Sequence, residues 1–239
     1  MPLTLDELAI RIPASIQVFE KYGLDYYQKG TQTLREACES AGIPFREIDQ
    51  ELSHLQEETL TLEDMSADRL IDYLNGRYHA GEKELLRSIH GSIRRLIKTC
   101  EGDHKMRLLL IEPLFRRLKI QLTAHCKKED ELFFPWMRKL TALHRNRALH
   151  TTPGTIGFIR NPVIMLESEH METIDLLVAI KQAAGNFMIS SDDPVGYSTL
   201  MNDLQTLESD LHMHLHIENN ILFPRLLLLE EELTKQLKL

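Results

Sequence analysis

The sequence predicts an all-α protein, a four-helix up-down bundle preceded by a small helical module. Three observations predict it. From Ser66 onward, apolar residues recur at helical spacing over stretches of roughly 25 to 35 residues. No segment alternates in the manner of a strand, and parts of the second half repeat parts of the first. Long amphipathic helices without strands bury their stripes against one another, which is a bundle. A chain of 239 residues suits one domain plus an accessory module. The expected division is a module over 1–56, a linker over 57–65 and the bundle over 66–239.

In the module, Thr4 and Glu7 form a capping box for a first helix, which Ile12-Pro13 interrupts. Lys21-Tyr22-Gly23 ends the next. Thr33 opens a helix over LREACESA that Gly42 closes, and Pro44 starts an amphipathic stretch, FREIDQELSHL. Residues 57–65, EETLTLEDM, are acidic and lack an apolar stripe. Leu70, Tyr73, Leu74, Tyr78, Leu85, Ile89, Ile93 and Leu96 then mark one long helix to Thr99. A second covers residues 104–140, with Pro113 either in its opening turns or kinking it. A turn-rich loop, HRNRALHTTPGTIGF, follows. Asn161-Pro162 reads as the N-cap and first residue of a third helix ending near Gly185, and Asp193-Pro194 repeats that signal for a fourth.

Composition excludes several function classes. Hydrophobic residues make up 43%, enough for a real core, and no long Gly, Ser or Pro tract suggests disorder. Thirty-six acidic against 28 basic residues give a net charge of −8, the wrong sign for a general nucleic-acid binder. No apolar run is long enough to predict a spanning helix, so no membrane partner is expected. No charged and then apolar leader is evident in MPLTLDELAIRIP. Cys38, Cys100 and Cys126 are an odd number without C-x-x-C spacing, which suits free thiols in the cytoplasm.

The histidines carry the functional signal. Residues 125–135 read HCKKEDELFFP and residues 214–224 read HLHIENNILFP; both contain H-x3-E and, at the same offset, F-P. Upstream, His79 and His170 each begin H-x5-LL. The pattern implies two similar helical hairpins related by a pseudo-twofold axis. Residues i and i+4 of a helix lie about 40° apart and about 6 Å along the axis. His125 with Glu129, and His214 with Glu218, therefore project together, and His79 and His170 add one imidazole each from the other helices. A lone helical histidine is more often a surface or satisfied core residue, and one H-x3-E is often a plain i,i+4 contact. It is the duplication that points to a site.

The donor count then suggests two metals. One ion cannot take six bulky ligands and stay reactive, whereas two can each take two histidines and share both glutamates. Imidazole plus carboxylate suits iron, manganese or zinc, and open positions on such a site favour small-ligand chemistry on non-haem iron. The expected cofactor is two iron ions, oxo- or hydroxo-bridged.

At these residues the C-terminal part resembles hemerythrin-like domains. The whole chain resembles the bacterial iron-sulfur cluster repair di-iron proteins, the Repair of Iron Centres family. The resemblance rests on RYH at 77–79, H-x3-E at 125–129, ESEH at 167–170 and H-x3-ENN-x2-FP at 214–224. It places His79, His125, Glu129, His170, His214 and Glu218 on ligand positions. KYGLDYYQKGTQTL at 21–34 matches the family's N-terminal segment, except that Tyr27 and Gln28 replace its two cysteines and Lys29 a glycine. The resemblance implies repair of iron-sulfur clusters damaged by nitric oxide or peroxide, by iron donation or by reduction of nitric oxide to nitrous oxide. A carrier or sensor of oxygen or nitric oxide is the alternative. The expected partners are these gases and damaged iron-sulfur proteins, with the oligomeric state open and a homodimer among the options.

Other residues carry weaker expectations. Glu169 either lines a channel or is solvated, and Gln121 is a candidate neighbour of the ligands. His212 and His216 project about 160° from His214 and read as surface residues. His104 reads as a helix cap, Cys126 as a packed thiol, Trp136 as packing, and Tyr22, Tyr26 and Tyr27 as a contact between module and bundle.

Overall fold

A computed structural model describes residues 3–12, 15–24, 26, 30–55, 62, 65–145 and 159–237. The described residues form helices and no strands, with one isolated bridge between Thr4 and Thr33. Pro13, Tyr27, Gln28, Lys29 and most of 57–65 and of the loop before the third long helix lie outside the described residues.

Four short helices come first: α1 (Leu5–Arg11), α2 (Ser15–Lys21), α3 (Leu34–Ala41) and α4 (Phe45–Leu55). Local sequence sets their ends. Thr4 and Thr33 accept from the backbone N–H of Glu7 and Glu36, whose carboxylates accept in return from the cap N–H groups. Gly42 closes α3 in the left-handed conformation, φ 70°, which Gly adopts at least cost. Leu5, Phe19, Ile16, Cys38 and Ile48 are fully buried in a core of their own.

The bundle is four long rods. The first is α5 (Ala67–Tyr73), a π segment over Leu74–His79, and α6 (Ala80–Thr99). The second is α7 (Gly102–Lys128), a π segment over Glu129–Phe133, and α8 (Phe134–Arg145). The third is α9 (Arg160–Ala183) alone, and the fourth is α10 (Tyr197–Ile217), a π segment over Glu218–Leu222, and α11 (Phe223–Leu237). α6 packs on α7, α7 on α9, α9 on α10 and α10 back on α6. Leu96 beside Gly196 and Arg107 beside Gly185 put the start of each rod next to the end of its neighbour, the up-down arrangement.

Two helix starts differ from the expectation. Asn161 is not the N-cap: Arg160 is already helical and Pro162 stands third, where its missing N–H is still one of the four that no helix can satisfy internally. Asp193 does not cap α10, which starts four residues later behind Gly196. Its carboxylate is taken up elsewhere, accepting from the Ser190 backbone N–H at 2.8 Å and from His104 Nε2 at 2.9 Å. His104 is thus a tie between the start of α7 and the loop before α10. Pro113 sits inside α7, which continues through it. α9 stops at Ala183, and beyond it Asn186 N–H donates to the Lys181 carbonyl and Gly185 N–H to that of Gln182, the paired bonds of a Schellman turn.

The interior is layered. One apolar cluster fills the end of the bundle at the α6–α7 turn, from Leu86, Ile93, Phe115, Leu122, Leu177 and Leu211. A second fills the other end, from Leu74, Phe134, Met137, Leu166, Ile221 and Phe223. Each large side chain so buried contributes about 1.5–3 kcal/mol. In the first three rods the polar candidates fall between the two clusters, His79 in the first, His125 and Glu129 in the second and His170 in the third; in the fourth, His214 and Glu218 flank the changeover from Leu215 to Ile217. Leu62, within the acidic stretch, is buried in the second cluster.

Candidate metal centre

The repeat has a structural meaning that spacing alone did not reveal. Both H-x3-E pairs run into a π turn that begins at the glutamate: Phe134 N–H bonds the Glu129 carbonyl, and Phe223 N–H bonds that of Glu218. The extra residue per turn alters side-chain direction within an otherwise continuous helix. The F of each F-P pair then stacks on the lone histidine of its own hairpin. Phe134 lies 5.5 Å from the His79 ring at 15°, and Phe223 lies 5.9 Å from His170 at 12°. The first rod has a third π turn ending at His79, whereas α9 passes through His170 as a regular helix.

The six residues predicted as ligands meet in the layer between the apolar clusters. His79 is 7% exposed, His125 2%, and His170, His214, Glu129 and Glu218 are fully buried. Their donor atoms form two groups sharing both glutamates: His79, His214, Glu129 and Glu218, and His125, His170, Glu129 and Glu218. Within the first group the two Nε2 atoms are 3.2 Å apart, and within the second 3.0 Å. Glu129 Oε2 is 3.4 Å from His79 Nε2 and 3.3 Å from His125 Nε2. Glu218 reaches His214 with Oε1 and His170 with Oε2, both at 3.2 Å. Each carboxylate thus faces one imidazole of each group.

These residues fit a pair of metal ions. All four carboxylate oxygens of Glu129 and Glu218 are buried without a hydrogen-bond partner, a costly state unless a cation neutralises them. Donor atoms about 2.1 Å from a shared ion, at angles between square and tetrahedral, are themselves about 3.0–3.4 Å apart. That is the spacing seen. Without metal the charges compensate one another. Burial alone would depress the histidines, yet Glu129 and Glu218 outweigh it at His125 and raise it to about 9, while Glu82 and Glu218 hold His214 well above its usual value. Burial likewise pushes the Glu218 carboxyl up, but His214 and His170 hold it well below the carboxylate range.

The far nitrogen of every imidazole is also engaged, which fixes ring orientation. His79 Nδ1 is 2.7 Å from Asp130 Oδ1, and His170 Nδ1 is 2.7 Å from Asn219 Oδ1. His125 Nδ1 is 2.9 Å from Glu169 Oε2, and His214 Nδ1 is 2.9 Å from Glu82 Oε1. Asp130 and Asn219 directly follow the two glutamates, so the repeat H-x3-E-[D/N] held that signal unread. Glu82 has no counterpart in the repeat, since Thr173 stands at its place, three residues past His170. Glu169 is tied to Lys128 as well as to His125, and so acts on a ligand rather than standing free in solvent. Gln121 donates to the Glu169 backbone carbonyl, at 3.4 Å.

His216 corrects an expectation: it is 1% exposed, not a surface residue. The helical module covers that face, with Tyr26 edge-on to His212 at 5.9 Å and to His216 at 6.3 Å. Burial lowers the His216 pKa to about 4, leaving a neutral ring. Tyr22 instead donates to Glu51 inside the module, at 2.9 Å, and Trp136 packs against the second apolar cluster. Cys126 borders a cavity of about 260 Å³ that also meets His79, Glu82, Leu86, Leu122 and Asp130, and burial drives its thiol well above the usual range. No helix among the described residues is long and apolar enough to cross a membrane.

Residues 81–226 match the family described as Hemerythrin HHE cation binding domain, a span that holds five of the six candidate ligands and starts just past His79. Residues 3–56 match a second family, ScdA_N, described as a domain of unknown function. The chain is 28% identical over 225 residues to the iron-sulfur cluster repair protein YtfE of Escherichia coli O157:H7, covering 93% of this chain and 96% of that protein. The proteins of that name from Shigella boydii serotype 4 and Escherichia coli K12 are similar to the same extent, 28% over 93% and 96%.

Proposed function

The chain belongs to the hemerythrin HHE cation binding domain family, and on that premise we propose that it is a di-iron protein that repairs iron-sulfur clusters, or protects them, under nitrosative or oxidative stress. The observation that carries the metal part is the shared use of Glu129 and Glu218 by two histidine pairs. The repair part rests on similarity to YtfE along nearly the full length of both chains. His79 and His214 would hold one iron, His125 and His170 the other, with the two glutamates bridging. When bound, such a pair supplies two electrons to small molecules such as nitric oxide, or a store of iron for a damaged cluster.

The chain's own residues serve either use in the same way. Asp130, Glu169, Asn219 and Glu82 hold the imidazoles in place from behind, and the Phe134 and Phe223 rings clamp two of them. The apolar clusters on either side exclude water, and the cavity at His79 gives a small molecule a way to the layer. A net charge of −8 fits a cytoplasmic protein without a nucleic-acid partner.

Metal analysis of the purified protein is the first test, with two irons per chain expected. Anaerobic mixing of the reduced protein with nitric oxide then separates the readings. Nitrous oxide marks reductase activity; stable binding without it marks the second reading, a gas carrier or sensor. Tyr27-Gln28 in place of a cysteine pair favours that second reading, because thiol redox coupling is lost there. Recovery of a nitric oxide-damaged iron-sulfur enzyme, with loss of iron from this protein, marks iron donation.

A further inference from the structure

The two metal positions are matched in their direct donors and unmatched in the charges behind them. The His79 and His214 imidazoles are backed by two carboxylates, Asp130 and Glu82. The His125 and His170 imidazoles are backed by Glu169, whose charge Lys128 neutralises, and by Asn219, which has none. Burial widens the contrast. Glu82 is 2% exposed and its Oε2 has no hydrogen-bond partner, so its charge is screened little, whereas Asp130 is about half exposed. Lys83 and Lys127 border the nearby cavity but are solvent-exposed, and Lys127 pairs with Glu131.

We propose that Glu82, assisted by Asp130, makes the His79/His214 position the tighter of the two, so that the centre fills there first and has a defined one-metal state. A buried carboxylate on the far nitrogen of an imidazole makes the near nitrogen a stronger donor and adds an attractive charge for the cation. The cavity bordered by His79 and Glu82 meets this position and not the other, which gives the incoming ion access to the same place. The inference rests on the metal-centre reading above and goes beyond it, since the repeat by itself implies equal positions.

The test uses zinc(II), which needs no redox control. Metal-free full-length protein is crystallised with one equivalent of zinc, and anomalous diffraction locates the ion. Calorimetry reads the two binding steps. The expected result is a dominant peak between His79 and His214 and two separable steps. Glu82→Gln should weaken the first step by about 10- to 100-fold and bring the steps together. Asn219→Asp should strengthen the second position without removing any contact, and it decides the matter if Glu82→Gln does not fold. Equal peaks, a preference for His125 and His170, or unchanged steps in both variants would overturn the inference. Failure to bind any zinc or iron overturns the metal-centre reading itself.

Discussion

The two metal positions, each built with one imidazole from either hairpin, have the same kinds of donor but not the same surroundings. His79 and His214 look back on Asp130 and the buried Glu82; His125 and His170 look back on a Glu169–Lys128 pair and an amide. Duplication therefore preserved what a metal must touch and let drift what tunes it. The donors tolerate little change because each must meet a point in a packed layer. The residues behind them need only accept a hydrogen bond, which Asp, Glu and Asn do about equally well while differing in charge.

The sharpest break in this comparison comes from a shared residue. Glu218→Ala should strip metal from both positions, leaving well under one ion per chain by elemental analysis. His125→Ala and His214→Ala should each remove about one ion and spare the other, with His214→Ala the more damaging if the two positions differ as proposed. Unchanged iron content in both histidine variants would refute the ligand assignment.

Next in size is the effect on the apolar layers that hold the histidines. Phe134→Ala and Phe223→Ala each remove a fully buried ring stacked on one imidazole, and each should cost about 3–5 kcal/mol in denaturant unfolding. Phe134→Ala should disturb the His79 position and Phe223→Ala the His170 position, so metal loading distinguishes two variants of similar stability.

Acidity separates the metal-free state from the loaded one. The folded His125 pKa of about 9 lies above its usual 6.5, so its contribution is complete below 6.5 and is lost as pH rises through 9. That shift corresponds to up to about 3 kcal/mol. Glu218 is shifted down, so its contribution is present above 4.5 and is lost as pH falls. The metal-free protein should thus melt highest between 4.5 and 6.5 and become less stable toward pH 9. Metal must displace protons from these imidazoles, so its stabilisation should grow over that same rise. Melting curves with and without zinc from pH 5 to 9 would test this; parallel curves would show that the histidines do not bind it.

The smallest effect lies outside the bundle. Thr33→Ala removes the capping box of α3 and should cost about 1 kcal/mol while leaving metal content unchanged. A change in metal loading would show that the module, which covers His216, also holds α10 in register.

Local chemistry determined much of this protein. Helical spacing, the Thr4 and Thr33 caps and the Gly42 and Gly185 stops are short-range effects, and the helices follow them. The duplicated H-x3-E and the two upstream histidines picked out six residues that the fold brings into one buried layer. Where the local signal had a tertiary competitor, it lost. Asp193 pairs with His104 across the bundle end instead of capping α10, and His216 is buried because a separate module covers it. Only the tertiary structure decided the π turns, which depend on how a long helix must aim a side chain at a shared point. Only it decided the role of Glu82, because a residue with no counterpart in the repeat becomes meaningful when packing carries it, across 132 positions of chain, to His214. Sequence period specifies which way a side chain leaves its own helix; which charge lies behind it depends on neighbours that only the packed bundle supplies.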